Sequence, residues 1–314
     1  MIYLIYLLLA VTVTLLSVKA SDYVDLLDKK TSLSGAFIGG ILLSSVTSLP
    51  ELFTSISSTV FLDAPSLCIG NILGSDLFNV AALSVITLIF FRRFLSASIS
   101  KNHTIVLSFV LLCYLALALN FFGILRFDLL TVSITSVIIL LCYILSVRFL
   151  SGEDGEEDEE ENSPLTLRQV VIRFVFVSIG IVVTSILITY ATDMISDRLG
   201  LAQGFAGALL LGVATSLPEL ASTIALFRLG NFDIAVGNIV GSNIFNFLIL
   251  VVADILYTGT GLYSFADPST QLLMACGAVA MVSTWLLLRL RGKAATLLCP
   301  LVTTVSYLAF LLIG

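Results

Sequence analysis

Two parts of this chain contain closely similar pairs of motifs. Residues 39–51 read GGILLSSVTSLPE and residues 207–219 read GALLLGVATSLPE, at an offset of 168. Residues 69–79 (IGNILGSDLFN) match residues 236–246 (VGNIVGSNIFN) at an offset of 167. Because a self-match of this length is specific, the chain is predicted to contain two copies of one structural unit. Any fold for the chain must therefore place the two motifs at equivalent positions.

The repeated units are predicted to span a membrane. Of the residues, 58% are hydrophobic and 11% charged, with a mean hydropathy of +1.11, which a water-exposed surface does not tolerate. Most apolar stretches reach the ~17–25 residues that a helix needs to cross the hydrocarbon, and they lack the alternation of an outer-membrane barrel. The ten stretches are residues 2–18, 34–60, 65–91, 104–122, 125–150, 170–195, 205–227, 234–256, 271–288 and 295–313.

The number of spans in each unit sets the topology. Ten spans divide into five-helix repeats at residues 1–150 and 169–314, joined by a linker at residues 151–168. The first motif (residues 39–79) and the second (residues 207–246) fall on the second and third helices of each repeat. An odd number of crossings inverts the second copy and puts a shared site near the membrane midplane. The predicted fold is an all-α integral membrane protein of ten transmembrane helices in two inverted five-helix repeats.

The distribution of charge sets the orientation. With the N-terminus outside, all but Arg126 and Arg198 of the 15 lysines and arginines fall in inward-facing loops, so both termini are predicted outside the cell membrane. The linker is then cytoplasmic, and its run at residues 152–161 holds eight of the 21 acidic residues. This run is interpreted as a self-repelling tether, since it lacks the spacing of a calcium-binding EF-hand loop. A cleaved signal peptide at residues 2–18 is disfavoured because the stretch lacks a basic start.

Each repeat carries one glutamate inside an apolar helix, directly after a proline. A charge at the centre of a membrane helix costs at least ~2.5 kcal/mol, so Glu51 and Glu219 at matched positions indicate a function. A structural role as the partner of a buried base is disfavoured, since no lysine or arginine falls in the core of a predicted helix. The two glutamates are therefore predicted to bind a cation.

The prolines make other oxygen ligands available beside these glutamates. Pro50 and Pro218 remove a backbone hydrogen bond and free the carbonyl four residues earlier, at Val46 and Ala214. Unpaired backbone at membrane depth is tolerated only where it is buried in protein or lines a cavity. Hard cations such as Ca²⁺ and Na⁺ prefer this mixture of carboxylate, carbonyl and hydroxyl oxygens. The adjacent hydroxyl residues are Thr47, Ser48, Thr215 and Ser216.

The third helix of each repeat carries one pair of polar residues. The two members of each pair are four residues apart and therefore share a helix face. The pairs are Ser75 with Asn79 and Ser242 with Asn246. Their side-chain oxygens are predicted to point into the same cavity as the glutamates.

Other polar residues of the same motif allow more than one interpretation. Asn71 and Asn238 fit either hydrogen bonding between helices or ion lining, and the glycines around them fit close helix packing. The first repeat has Asp76 where the second has Asn243. Asp76 is interpreted as a residue at the cavity edge or in a separate polar contact, and not as an ion ligand.

These motifs resemble the two alpha-repeats of the sodium/calcium exchanger family, and the resemblance extends over nearly the whole chain. It implies calcium ligands at the two glutamates, carbonyl-donating threonines with adjacent serines, sodium-coordinating serines, and a polar ligand four residues after each. These residues are Glu51, Glu219, Thr47, Thr215, Ser48, Ser216, Ser75, Ser242, Asn79 and Asn246. Several members of the superfamily carry aspartate at the position of Asn246, so this site is predicted to have one fewer fixed charge.

The chemistry and the resemblance together predict a secondary antiporter that exchanges Na⁺ for Ca²⁺ by alternating access, and not an enzyme. The nearest alternative is a calcium/proton or other cation/proton exchanger, which would not need the matched serines and asparagines. An intramembrane protease is disfavoured because the only histidine, His103, is peripheral and Asp76 lacks a partner aspartate. A channel is disfavoured because proline-broken inverted repeats are typical of transporters. The expected partners are Ca²⁺, Na⁺ and the lipid bilayer, with no cofactor and no nucleic acid; the oligomeric state is left open.

The orientation can be tested by labelling a single cysteine in a cysteine-free background. Glu156→Cys is expected to stay unlabelled by a membrane-impermeant maleimide in intact cells and to react after permeabilisation, because the linker faces the cytoplasm. Arg198→Cys, in a predicted outer loop, is the matched control and is expected to label in intact cells. Ready labelling at position 156 in intact cells would reverse the predicted orientation.

Overall fold

The computed structural model describes residues 1–30, 47–129, 131–150, 165–259 and 261–314. Within these residues the chain is almost entirely helical. The acidic run, the first part of the predicted second span and the Val46 carbonyl lie outside the described residues.

The first half begins with a long helix, followed by a short helix at the position of the repeated motif. The helices are α1 (Ile2–Lys30), α2 (Leu49–Ile56), α3 (Pro65–Ile89), α4 (Phe91–Ser96), α5 (Lys101–Phe121) and α6 (Ile134–Leu150). A π-helical segment, Ser57–Phe61, continues α2. A small hairpin of β1 (Asp128–Leu129) and β2 (Val132–Ser133) joins α5 to α6, and is the only β-structure in the described part of the chain.

The second half repeats this order and shows its broken helix in full. Its helices are α7 (Leu167–Leu199), α8 (Gln203–Ala206), α9 (Val213–Thr215), α10 (Leu217–Leu229), α11 (Phe232–Leu256), α12 (Pro268–Leu290) and α13 (Lys293–Ile313). A π-helical segment, Gly207–Gly212, joins α8 to α9. A turn of 3₁₀-helix, Leu262–Ser264, precedes α12.

The ends of the helices follow from local sequence. Pro65 and Pro268 lie in the first turns of α3 and α12, where the missing N–H of proline costs no helical hydrogen bond. Thr166 caps α7 in a reciprocal pair of hydrogen bonds with Gln169. The same helix ends at Gly200, which has a φ of 63° in the left-handed region that glycine tolerates best.

The predicted spans are recovered in most of the described chain. Seven helices there are long and apolar enough to cross a membrane: α1, α3, α5, α7, α11, α12 and α13. The segments Gln203–Thr215 and Leu217–Leu229 form an eighth span if counted together, although they are bent by 47°. Helix α6 is apolar but shorter, and the predicted span at residues 34–60 crosses the gap at residues 31–46. A multi-pass helical membrane protein is therefore confirmed, while the count of ten remains a prediction.

Helices α3 and α11, which carry the matched GNxxGS motifs, form the centre of the molecule. Of the residues in their most apolar parts, 72% are buried, against 22% in the peripheral helices α1 and α7. Helices α1 and α7 pack against each other, α2 packs against α7, and α10 packs against α1. The short helix of each half thus packs against the long first helix of the other half, and the repeated motifs meet in the interior.

Glycines allow the two halves to touch through their backbones. A Cβ at Gly70 would overlap the carbonyl of Gly204, and a Cβ at Gly74 would overlap Ala208. A Cβ at Gly207 would in turn overlap the carbonyl of Leu67. The predicted packing role of Gly70 and Gly74 is therefore correct, and these glycines pack against the broken helix of the opposite half.

The halves are also joined at one end of α5 and α11. The His103 ring lies 2.9 Å from the Asp233 carboxylate and packs against Gly237. The Asp233 carboxylate also accepts a hydrogen bond of 2.6 Å from the backbone N–H of Ser100. The histidine is peripheral, as predicted, but it belongs to a polar contact between the halves.

The backbone contact at Gly70 predicts a large cost for a single methyl group. Gly70→Ala is expected to lower the free energy of unfolding by about 1–3 kcal/mol, because neither backbone can retreat without strain. The measurement is the melting temperature of the purified protein in detergent. Gly180→Ala is the control, since its Cβ would meet only the flexible Leu16 side chain at 3.1 Å. Equal melting temperatures for Gly70→Ala and the wild type would contradict this packing.

Candidate functional site

Two helix breaks place one glutamate from each half in the interior. Ser48 has φ/ψ of −90°/11° and Ser216 has −90°/4°, and after each serine a new helix begins with proline in its first turn. Glu51 and Glu219 follow these prolines, and each is 1% exposed. The predicted proline breaks thus carry the two carboxylates.

Hydroxyl groups from the opposite half surround each glutamate. The Ser216 hydroxyl donates a hydrogen bond of 3.2 Å to Oε1 of Glu51, and the Thr215 hydroxyl lies against the same carboxylate. The Thr47 hydroxyl lies in a matching place beside Glu219. The two carboxylates are also close enough to repel each other. Each half therefore completes the surroundings of the other half's glutamate.

No basic side chain compensates these buried charges. Every lysine and arginine whose side chain the structure describes is exposed. A buried carboxylate without a partner is strongly destabilising, because the protein interior screens charge poorly. Within the described residues, Glu51 and Glu219 thus have no positive partner in the protein and require a cation or a proton.

The buried polar atoms that lack a hydrogen-bond partner indicate the kind of ion that the site would bind. Among the described amide and carboxylate groups eight atoms are buried without a hydrogen bond of ordinary geometry, and seven of them are oxygens. Oxygens offer lone pairs to a cation, whereas an excess of N–H groups would favour an anion. The seven oxygens are Glu51 Oε2, Asn71 Oδ1, Asp76 Oδ2, Asn79 Oδ1, Glu219 Oε1, Glu219 Oε2 and Asn246 Oδ1. The donor set thus fits a hard cation.

Of the other three predicted serine ligands, one donates a hydrogen bond across the boundary between the halves and two have no hydrogen-bond partner among the described residues. The Ser75 hydroxyl donates a hydrogen bond of 3.2 Å to the carbonyl of Gly212, across the boundary between the halves. The hydroxyls of Ser48 and Ser242 are buried without a hydrogen-bond partner among the described residues. All three serines are buried and can offer a hydroxyl oxygen to a bound cation.

The predicted asparagine ligands are held by residues that the sequence analysis did not assign to the site. The Asn79 amide nitrogen donates a hydrogen bond of 2.9 Å to Oδ1 of Asn243, and the Asn246 amide nitrogen donates one of 2.9 Å to Oδ1 of Asp76. Asp76 is fully buried at 0% exposure. Of the two interpretations of Asp76, the separate polar contact is present, and its partner is Asn246. The mismatch between Asp76 and Asn243 in the repeats was the available signal.

Asn71 joins two helices of its own half. Its amide nitrogen lies 2.9 Å from the Thr54 hydroxyl and 3.0 Å from the Ser55 hydroxyl, and 3.3 Å from the carbonyl of Glu51. Helix-to-helix hydrogen bonding is thus present for Asn71. Through this contact α3 supports the turn of α2 that carries Glu51.

In the described residues no point is surrounded by three or more histidine, cysteine, aspartate or glutamate side chains. The cation would therefore be bound by two carboxylates assisted by hydroxyl, amide and backbone oxygens. Such a set suits Ca²⁺ or Na⁺ better than zinc, which prefers nitrogen and sulfur ligands.

Comparison with known proteins identifies related chains. The model of the family described as "Sodium/calcium exchanger protein" matches residues 1–152 and 169–313. The sodium/calcium exchanger MaX1 of Methanosarcina acetivorans is 25% identical over 284 residues, which cover 76% of this chain and 80% of MaX1.

Two solved structures have the same fold. The H⁺/Ca²⁺ exchanger CAX superposes with a TM-score of 0.68 at 14% identity, covering 98% of this chain and 87% of CAX. The sodium-calcium exchanger NCX_Mj superposes with a TM-score of 0.61 at 21% identity, covering 100% of this chain and 99% of NCX_Mj. At these identities the similarity shows the fold alone.

Neutralising either glutamate is expected to remove calcium binding without unfolding the protein. Glu51→Gln and Glu219→Gln should each weaken Ca²⁺ binding by at least about tenfold, a loss of roughly 1.4 kcal/mol. Without Ca²⁺ the variants should be as stable as the wild type or more so, because a buried amide costs less than a buried charge. The measurement is the melting temperature as a function of CaCl₂.

The control for these variants is Asp254→Asn, which removes a buried carboxylate held elsewhere. Asp254 is 5% exposed and accepts hydrogen bonds from the Ser133 N–H at 2.9 Å and the Ser136 hydroxyl at 2.7 Å. It should retain the wild-type response to Ca²⁺. An unchanged response in either glutamate variant would exclude that residue from the site.

Proposed function

Because the chain belongs to the sodium/calcium exchanger protein family, we propose that it is a secondary antiporter that exchanges Na⁺ for Ca²⁺ by alternating access. The observation that carries this proposal is the pair of glutamates, each 1% exposed, with no buried base in the described residues to balance them. A site whose charge is satisfied only by its cargo favours an occupied state over an empty one. This is the property that obligatory exchange requires.

Calcium and sodium would compete for one set of oxygens. Glu51 and Glu219 bind Ca²⁺, and their two negative charges neutralise the two charges of the ion. Hydroxyl and backbone oxygens of the breaks complete this set, from Thr47, Ser48, Thr215 and Ser216. Sodium uses the same carboxylates together with neutral oxygens of the central helices, from Ser75, Asn79, Ser242 and Asn246.

The contacts across the interface support a role for both halves at once. The hydrogen bond from Ser216 to Glu51 and the contact of Thr47 with Glu219 each join one half to the other. A relative movement of the halves would change the coordination of a bound ion on both sides. This arrangement supports alternating access around a fixed central site.

The proposal includes the placement of the protein. The two five-helix repeats are inverted, giving ten spans in the cell membrane, with both termini outside and the linker in the cytoplasm. Transport needs no resident cofactor and no chemical step, so the protein is not an enzyme.

A second candidate is exchange of Ca²⁺ for protons. It is favoured by the superposition with CAX, an H⁺/Ca²⁺ exchanger, at a TM-score of 0.68. A carboxylate without a basic partner also accepts a proton readily. Sodium remains the better candidate, because Asn79 and Asn246 each have a buried amide oxygen without a hydrogen-bond partner, and protonation of the glutamates would leave these oxygens unsatisfied.

The two candidates are separated by the gradient that drives calcium uptake. In proteoliposomes loaded with Na⁺, ⁴⁵Ca²⁺ uptake is expected when the outer solution lacks Na⁺, and a pH gradient alone should give only the background of empty liposomes. The outer solution contains choline in place of Na⁺. Replacing this choline by K⁺ should not change the uptake, since no potassium ligand beyond the sodium ligands is proposed. Glu219→Gln is the inactive control. Uptake driven by the pH gradient and indifferent to Na⁺ would establish the proton candidate instead.

A further inference from the structure

A third buried carboxylate lies at the interface of the halves, outside the glutamate pair. Asp76 on α3 is 0% exposed, as deeply buried as Glu51 and Glu219. Its Oδ1 accepts the hydrogen bond from the Asn246 amide nitrogen, and its Oδ2 has no hydrogen-bond partner. No described lysine or arginine is buried beside it. Its charge therefore needs a positive partner from outside the protein.

Asp76 belongs to a polar cross of four residues that joins α3 to α11. Asp76 and Asn243 occupy matched positions of the repeats, as do Asn79 and Asn246. The pair Asn79 and Asn243 and the pair Asn246 and Asp76 are thus equivalent under the repeat, and both bonds measure 2.9 Å. The Asn243 amide nitrogen also donates a hydrogen bond of 3.3 Å to the carbonyl of Asp76. The two 2.9 Å hydrogen bonds of the cross are equivalent in the repeats, whereas its charge lies on one side only.

The cross fixes which atom of each asparagine is available to an ion. An ionised carboxylate only accepts hydrogen bonds, so the amide group of Asn246 must turn its nitrogen toward Asp76. The Asn246 oxygen is then left without a partner, as it is in the structure. Asn243 donates from its own nitrogen to the Asp76 carbonyl, so its oxygen accepts from the Asn79 nitrogen and the Asn79 oxygen is left unpartnered among the described residues. Two neutral oxygens and one free carboxylate oxygen remain buried in one cluster.

We propose that Asp76 is a third fixed charge of the transport site and that it balances a sodium ion bound with the amide oxygens of Asn79 and Asn246. This subsite is distinct from the glutamate pair, because no three of the described carboxylates surround one point. Asp76 also acts as a positioning residue, since its hydrogen bond orients the Asn246 amide. The inference rests on the proposed exchange function and adds a residue and an ion position to it.

The third charge sets how many sodium ions replace one calcium ion. Three carboxylates are neutralised by three Na⁺, whereas two carboxylates are neutralised by two. Without Asp76, a third monovalent ion would enter a low-dielectric site with no charge to balance it. Asp76 should therefore govern sodium binding and leave calcium binding largely to the glutamates.

The test compares sodium and calcium dependence in matched variants. Asp76→Asn removes the charge and keeps the size of the side chain. Asp76→Asn combined with Asn246→Asp moves the carboxylate to the other end of the same hydrogen bond. Asp254→Asn is the control for loss of an unrelated buried carboxylate. For each protein, ⁴⁵Ca²⁺ flux is measured against Na⁺ concentration, and melting temperature against NaCl and CaCl₂.

The wild type is expected to have a Hill coefficient for sodium above about two, because three ions bind together. Asp76→Asn should lower this coefficient by about one and raise the half-saturating Na⁺ concentration about tenfold, with the Ca²⁺-dependent melting shift retained. The double variant should recover the sodium dependence, and the control should match the wild type. A purely structural role for Asp76 would instead weaken the responses to both ions together.

Several outcomes would overturn the proposal. These are a wild-type Hill coefficient of about two or less, an unchanged sodium dependence in Asp76→Asn, and a double variant no better than the single one. If Asp76→Asn gives no flux, its melting shifts decide: loss of the Na⁺ shift alone supports the subsite, and loss or retention of both shifts rejects it. If the wild type itself lacks sodium-driven flux, the proposed exchange fails, while the Na⁺ melting shifts still test Asp76.

Discussion

The absence of any described buried base beside the buried carboxylates is the constraint on which the rest of the structure depends. Burial without compensation would normally unfold a small membrane bundle or force the charge to the surface. Here buried hydroxyl and amide groups donate hydrogen bonds to the carboxylates, and the amide oxygens of Asn79 and Asn246 remain without a partner in the described part of the chain. The protein thus supplies the oxygen ligands and the negative charge that a hard cation requires, and a bound cation would supply the missing positive charge.

Close approach of the two halves makes this arrangement possible. Because Gly70, Gly74 and Gly207 lack a Cβ, α3 lies directly on the backbone of the opposite broken helix. At this distance the short hydroxyls of Ser75 and Ser216 reach across the boundary to the Gly212 carbonyl and Glu51. Larger residues at the glycine positions would separate the halves and leave each glutamate with ligands from its own half alone.

The parts of the site that depend on local sequence could be predicted, and the parts that depend on docking could not. Proline acts on its own helix, so the breaks before Glu51 and Glu219 follow from the matched motifs. The bond from Ser216 to Glu51 joins residues 165 positions apart and needs the register between the halves. For the same reason Asp76 was not recognised as the partner of Asn246. The sequence analysis counted ten spans from the lengths of the apolar stretches. In the described chain only seven or eight of them are long enough helices, because breaks and short helices divide the other apolar stretches.

The charge asymmetry of the polar cross bears on the ancestry of the protein. A symmetric assembly of two identical repeats would carry the same residue at both positions now held by Asp76 and Asn243, and so would have an even number of fixed charges. The two copies can differ at a single position only when each has its own coding sequence, as the two halves of this chain do. An odd number of carboxylates beside the symmetry axis, as here with Glu51, Glu219 and Asp76, is therefore open to a fused chain and closed to a homodimer of half-length subunits.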